Sequence, residues 1–165
     1  MPPEIVPAGT PTDGRALVLW VPAIADTSAP TVAELSAGTV VDLTYSLVGD
    51  GFRHETTENT IADTRYTLRD VLERPGTVVD SLEVQYVAGT PAQTALTAGT
   101  IGHFVHRGEV PKETDIAAAQ LVDVIPAHMG IQRKVAPTAN TLAQRVQKAF
   151  ITGPVPRAVA IVAGA

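Results

Sequence analysis

VVDSLEVQYV, residues 78–87, reads as a long strand. Ser81, Glu83 and Gln85 fall on one of its faces, the period of two that marks a half-buried sheet strand. VVDLTYSLV, residues 40–48, follows the same rule. Val41, Leu43, Tyr45 and Leu47 share one face, and Asp42, Thr44 and Ser46 share the other. Between these two stretches, GDG (49–51) is a tight-turn signal, FRHETTENT (52–60) is polar and Thr-rich, and ERPG (73–76) reads as a turn. GDG with FRHETTENT predicts a hairpin, or a strand leading into a long loop, and ERPG is the turn that precedes 78–87.

Further strands are predicted at RALVLWVPAI (15–24), RYTLRDVL (65–72), IGHFVHR (101–107), AQLVDVIPAHMGIQRKV (119–135) and RAVAIV (157–162). AGT recurs at 8–10, 37–39, 88–90 and 98–100, which suggests a turn-then-strand device with Gly supplying positive φ. One short helix is marked in TSAPTVAELSAG (27–38), where Thr31 and Glu34 have capping-box spacing and Gly38 stands ready to close the end. KETDIAAA (112–119) has room for another turn. TANTLAQRVQKAFITG (138–153) is ambiguous: Leu142, Val146, Ala149 and Phe150 have helical spacing, whereas Leu142, Val146 and Phe150 also share a strand face. Many strands and one or two short helices predict a mainly β fold, a sandwich or barrel.

Apolar residues make up 45% of the 165, so the chain is globular, and with aromatics at only 4% its core must be aliphatic. There is no cysteine, which removes disulfides and thiolate chemistry. The Pro-rich start, MPPEIVPAGTPTDGR, lacks a basic leader and reads as an extended arm over 1–14, followed by one domain over 15–165. The longest apolar run, ALVLWVPAIA (16–25), falls short of the ~20 residues of a membrane helix, and a soluble protein without a membrane partner is expected. Net charge is −5, unevenly spread. Every acid lies at or before Asp123, whereas residues 124–165 carry Arg133, Lys134, Arg145, Lys148 and Arg157 and no acid. Such polarity suits attraction between copies. The acidic total speaks against duplex binding, which needs cations at phosphates.

Catalytic motifs are absent: no G-x-S-x-G, no phosphate-binding glycine loop, no H-E-x-x-H. His103 and His106 stand three apart, on opposite faces of a strand. Trp20 reads as a core anchor. No catalytic residue, metal site or cofactor is expected. The uncharged end after Arg157 raises the question of its partner, because an unpaired strand edge aggregates.

In the order and spacing of several segments the sequence resembles the major tail proteins (tail tube proteins) of long-tailed phages, especially those infecting actinobacteria. The segments are LWVPAIADTSAPTVAELSAGT (19–39), LERPG (72–76) followed by SLEVQYV (81–87), GTIGHFVHRGEVP (99–111), and QLVDVIPAHMGIQRKVAP (120–137) with FITGPVPRAVAIV (150–162). The resemblance implies a β-sandwich or barrel of tail tube type with one short flanking helix, and a strand over 143–151. It also implies six copies in a ring, rings stacked into a tube, and a central channel through which DNA leaves the capsid. Partners would be other copies of this chain and the tail-tip, tape-measure and tail-terminator proteins. DNA would pass without sequence-specific binding. The protein would sit in the virion tail after assembly in the host cytoplasm.

On that reading an acidic lumen would repel DNA. Candidate lumen-facing residues are Asp42, Thr44 and Ser46 with Glu55 and Glu58, and Ser81, Glu83 and Gln85. Candidate inter-subunit residues are Pro2, Pro3, Ile5, Val6, Arg133, Lys134, Val159 and Ile161. The competing reading is a monomeric β-sandwich binding or virion decoration module. It would want an exposed aromatic platform, for which one Trp, three Tyr and three Phe leave little material.

Overall fold

The computed structural model describes residues 5–164. It is mainly β and antiparallel, 44% strand and 6% helix. The chain forms two compact units. Among the described residues unit 1 comprises 5–45, 102–125 and 155–164; unit 2 comprises 46–101 and 126–154.

Unit 1 is built on β1 (Leu17–Val21), whose residues are all buried. β1 pairs with β2 (Val41–Asp42) on one side and with β5 (Ile101–Arg107) on the other. β6 (Leu121–Met129) follows β5 in the strand order. Leu17, Leu19, Val21, Val105, Val122, Val124 and Ile161 pack into one aliphatic core, with Leu35 from α1 (Val32–Leu35). On the alternate positions Trp20 meets Phe104 edge to face, centroids 4.8 Å apart, and Gly102 leaves room for the indole. The capping box is present. Thr31 Oγ1 accepts from the Glu34 N–H, while the Glu34 carboxylate accepts from the N–H groups of Thr31 and Ala25. The helix closes at Ser36 rather than at Gly38. The uncharged tail pairs within its own chain. β9 (Val159–Ala160) lies against Leu121 and Val122, and Ile161 bonds the Gln120 carbonyl.

Unit 2 carries a sheet in the order β6, β8, β4, β3, with β3 (Leu47–Asp63), β4 (Leu72–Val87) and β8 (Gln144–Ile151). β7 (Arg133–Lys134) pairs with β8. One face of this sheet is dry: Leu82, Val84, Tyr86, Ala127, Met129, Gln147 and Ala149 are all buried. α2 (Pro91–Ala95) adds buried Ala92, and Leu96 follows it into the core.

Several local expectations are revised. Residues 40–48 are not one strand. β2 stops at Asp42, a turn follows, and Tyr45 is exposed while Leu43 is fully buried. The cause is local bonding: the Asp42 carboxylate accepts the Thr44 N–H and bends the chain. GDG (49–51) does not reverse the chain. It forms a bulge in β3, where the register slips between Leu47 and Phe52. A Cβ at Gly51 would collide with the Gln85 carbonyl oxygen. ERPG is strand as well: Pro75 lies opposite Thr60, and Gly76 sits against the Asn59 carbonyl at a second register shift. Proline is tolerated there because β8 pairs with β4 only over 82–87, so this stretch has a free side. The real turn is in 64–71, where the sequence predicts a strand over 65–72; of that segment only Leu72 is strand. Thr67 takes a φ of 65° and Leu68 N–H bonds the Arg65 carbonyl, a backbone that cannot continue a ladder. A second helix, α2, stands at 91–95, with Pro91 in its first turn. Of the AGT glycines, Gly89 and Gly99 have positive φ, and Gly9 and Gly38 do not. Within the ambiguous stretch 138–153, residues 144–151 form strand β8, in line with the strand over 143–151 that the resemblance implied, after a turn at 139–140.

Candidate assembly surface

β3 is 17 residues long and β4 is 16, far longer than their neighbours require. From the pair Glu55–Ser81 outward to Asp63–Leu72, the two strands pair only with each other among the described residues. This two-stranded ribbon is largely exposed, including Ile61, Leu72, Val78 and Val79, with Tyr66, Leu68 and Val71 in its turn. An isolated two-stranded hairpin is marginal in water. Side-chain ladders hold this one. Asp80 accepts from Thr56 at 2.7 Å and faces His54 Nε2 at 3.1 Å; Asn59 donates to Thr77 at 2.9 Å. Near the turn, hydrogen bonds from Arg65 and then Arg74 hold the Asp63 carboxyl below its usual range. β3 is also the last strand of its sheet, so its outer N–H and C=O groups have no ladder partner among the described residues.

The register decides which candidate residues meet. Glu55 lies opposite Ser81, and Arg53 opposite Glu83, so Glu55, Ser81, Glu83 and Gln85 share the polar face of unit 2. Glu58 lies opposite Val78 and belongs to the other face. Asp42, Thr44 and Ser46 do not form a polar strand face. Burial pushes the Asp42 carboxyl up, but hydrogen bonds from Thr44 and Lys112 outweigh it and leave the group below its usual range. Lys112 Nζ stands 3.0 Å from that carboxylate, and Thr44 Oγ1 accepts the Val18 N–H at 3.0 Å. Ser46 is buried.

The polar face is not acidic. Arg53 donates to Glu83 at 2.8 Å and to Asp50 and Gln85 at 3.1 Å, and Arg133 stands 3.6 Å from the second oxygen of Glu83. Hydrogen bonding to Asp50 outweighs slight burial and keeps the Arg53 guanidinium above its ordinary pKa. Lys148, opposite Glu83 on β8, lies over the Phe150 ring at 5.1 Å. Sequence reading missed Arg53 and Lys148 here. Their placement follows from register, which neither residue's neighbours reveal.

Of the inter-subunit candidates, Ile5 and Val6 are among the most exposed apolar residues, in an extended segment without strand pairing. Pro2 and Pro3 lie outside the described residues. Arg133 and Lys134 form β7 and are exposed. Val159 is partly buried in β9, and Ile161 sits in the core of unit 1.

The chain is thus a mainly antiparallel β protein with a long exposed ribbon and an open edge strand among the described residues, and a solved structure shares this fold. A chain of the anti-feeding prophage (AFP) baseplate, from a 6-fold symmetrised cryo-EM structure, is similar at TM-score 0.54 and 12% sequence identity. The match covers 91% of this chain and 95% of that one. No curated protein matches. The family model for phage tail tube protein matches residues 4–164, and the chain belongs to that family: it is a structural protein of the virion tail.

Proposed function

We propose that this chain is the major tail protein of a long-tailed phage, with actinobacteria as the host class its segments suggest. Six copies close into a ring, rings stack into the tail tube, and DNA leaves through the central channel. The subunit works by geometry and uses no catalytic residue or cofactor. Tail-tip, tape-measure and tail-terminator proteins start, measure and end the tube, which assembles in the host cytoplasm. The observation that carries this reading is the β3–β4 ribbon: it exposes apolar side chains and an open strand edge that a neighbouring copy would cover. The 6-fold symmetry of the AFP baseplate structure supports a six-membered ring. In this arrangement the polar face of unit 2 lines the channel, and the arm 1–14, with Ile5 and Val6, reaches an adjacent copy.

Electron microscopy of the purified protein, beside sedimentation at rising concentration, tests the proposal. Rings or tubes with a central channel are expected. A strictly monomeric particle at every concentration, unchanged by an added tail-tip complex, would overturn it in favour of a monomeric decoration module.

A further inference from the structure

Three cations stand on the polar face of unit 2, and the register places them close together: Arg53 opposite Glu83, Lys148 opposite Glu83 on the other side, and Arg133 opposite Val146 of β8. Free guanidinium groups are strong phosphate ligands, because their planar fork matches two oxygens at once. A duplex presents a negative charge about every 1.7 Å. A channel lined by free arginines in every subunit would grip DNA instead of releasing it.

These arginines are not free. One Glu83 oxygen takes Arg53 Nη1 at 2.8 Å, and the other faces Arg133 Nη2 at 3.6 Å. The second fork nitrogen of Arg53 is held by Asp50 and Gln85, each at 3.1 Å. Exposed pairs of this kind add little stability, typically below about 1 kcal/mol. Their effect is on the potential that the face presents. We propose that Glu83 is a masking residue: it bridges Arg53 and Arg133 and withholds both from a passing polyanion, so that DNA slides over a charge-balanced wall. The role in transit rests on the reading that this face lines the channel. The masking itself is a property of the single subunit.

Glu55 supplies the control. It lies on the same face and holds no ion pair among the described residues. Glu83→Gln and Glu55→Gln change net charge equally, but only the first removes the carboxylate shared by two arginines, leaving Arg133 without that ion pair and Arg53 with Nη1 freed and Nη2 still on Asp50 and Gln85. Binding of the soluble full chain to a short fluorescent DNA duplex is measured by anisotropy across low salt concentrations. E83Q is expected to bind several-fold more tightly than wild type and E55Q. Its plot of log affinity against log salt should be steeper by about 1–2 for the phosphates newly contacted. Adding Arg53→Gln to E83Q should reverse most of the gain. If E83Q binds no better than E55Q, only net charge matters and the masking assignment is wrong. Because the readout needs no tube, failed masking appears with tubes intact, and failed assembly appears with masking intact.

Discussion

The hydroxyl of Tyr86 on β4 donates to Oε1 of Gln147 on β8 at 3.0 Å, inside the dry face of unit 2 where both residues are wholly buried. The Gln147 amide is fully used: Nε2 donates to the carbonyls of Leu96 and Gly130 at 2.6 and 2.7 Å. One side chain thereby ties two strands to the turn after α2 and to the end of β6. Tyr86→Phe should destabilise the fold by about 1–2 kcal/mol, since it strands one acceptor. Gln147→Leu should lose about 2–4 kcal/mol, since it leaves the Tyr86 hydroxyl without its acceptor and the Gly130 carbonyl without its side-chain donor, while the Leu96 carbonyl keeps Gln132 Nε2 at 3.0 Å. Denaturant melts of both variants check this. Equal, small losses would show that water replaces the glutamine.

Glu34 makes the stability of unit 1 depend on pH. Hydrogen bonds from the N–H groups of Ala25 and then Thr31 hold its carboxyl below the usual range. A lowered folded pKa means a contribution fully present above the unfolded value, about 4.3, and lost as pH falls through the folded value. Wild type should therefore melt higher than Glu34→Gln at pH 7, with the gap narrowing below about pH 4. A gap unchanged at pH 3 would show that the carboxylate charge is not its source.

Gly102 is required by an aromatic ring rather than by its backbone angle. A Cβ built there lies 2.6 Å from Cζ2 of Trp20. Gly102→Ala should cost about 1–3 kcal/mol, as overpacked cores do, and should shift tryptophan emission as the indole moves from Phe104. Emission and stability both unchanged would mean that the pocket relaxes without strain.

How far the sequence could be read depended on whether neighbours or register decide the outcome. The Thr31–Glu34 cap and the strands at 17–21 and 101–107 were legible, because each is set by residues a few positions apart. β8 was not. Of the conspicuous apolar residues of the stretch, Leu142 precedes the strand and Phe150 lies in it, both exposed, while the strand's buried positions are held by Gln147 and Ala149. Hydropathy points to the wrong face when a buried polar side chain is satisfied across strands. The glycines of GDG and ERPG misled for a related reason. A turn and a bulge ask for the same residue, and only the partner strand decides between them. The polar face was half legible: Ser81, Glu83 and Gln85 follow from alternation, whereas Arg53, Arg133 and Lys148 join them only through pairing.

The ribbon allows the assembly proposal to be tested by face. Val78 and Val79 are adjacent and about equally exposed, at 50% and 54%. Val78 continues the row of Leu82 and Val84 on the dry side; Val79 continues the row of Ser81 and Glu83 on the polar side. Neither touches a core, so lysine at either position should change stability by no more than about 0.5 kcal/mol. If the dry side of the ribbon packs on the next subunit and the polar side faces the channel, the two variants part in assembly. Val78→Lys should leave folded subunits that fail to close rings, because covering the added ammonium costs its desolvation even with Glu58 opposite it. Val79→Lys should still form rings and tubes with one more cation on the channel wall. Melting curves beside electron microscopy separate the cases. Tubes from V78K and none from V79K would invert the assignment of faces, and tubes from both would remove the ribbon from the interface.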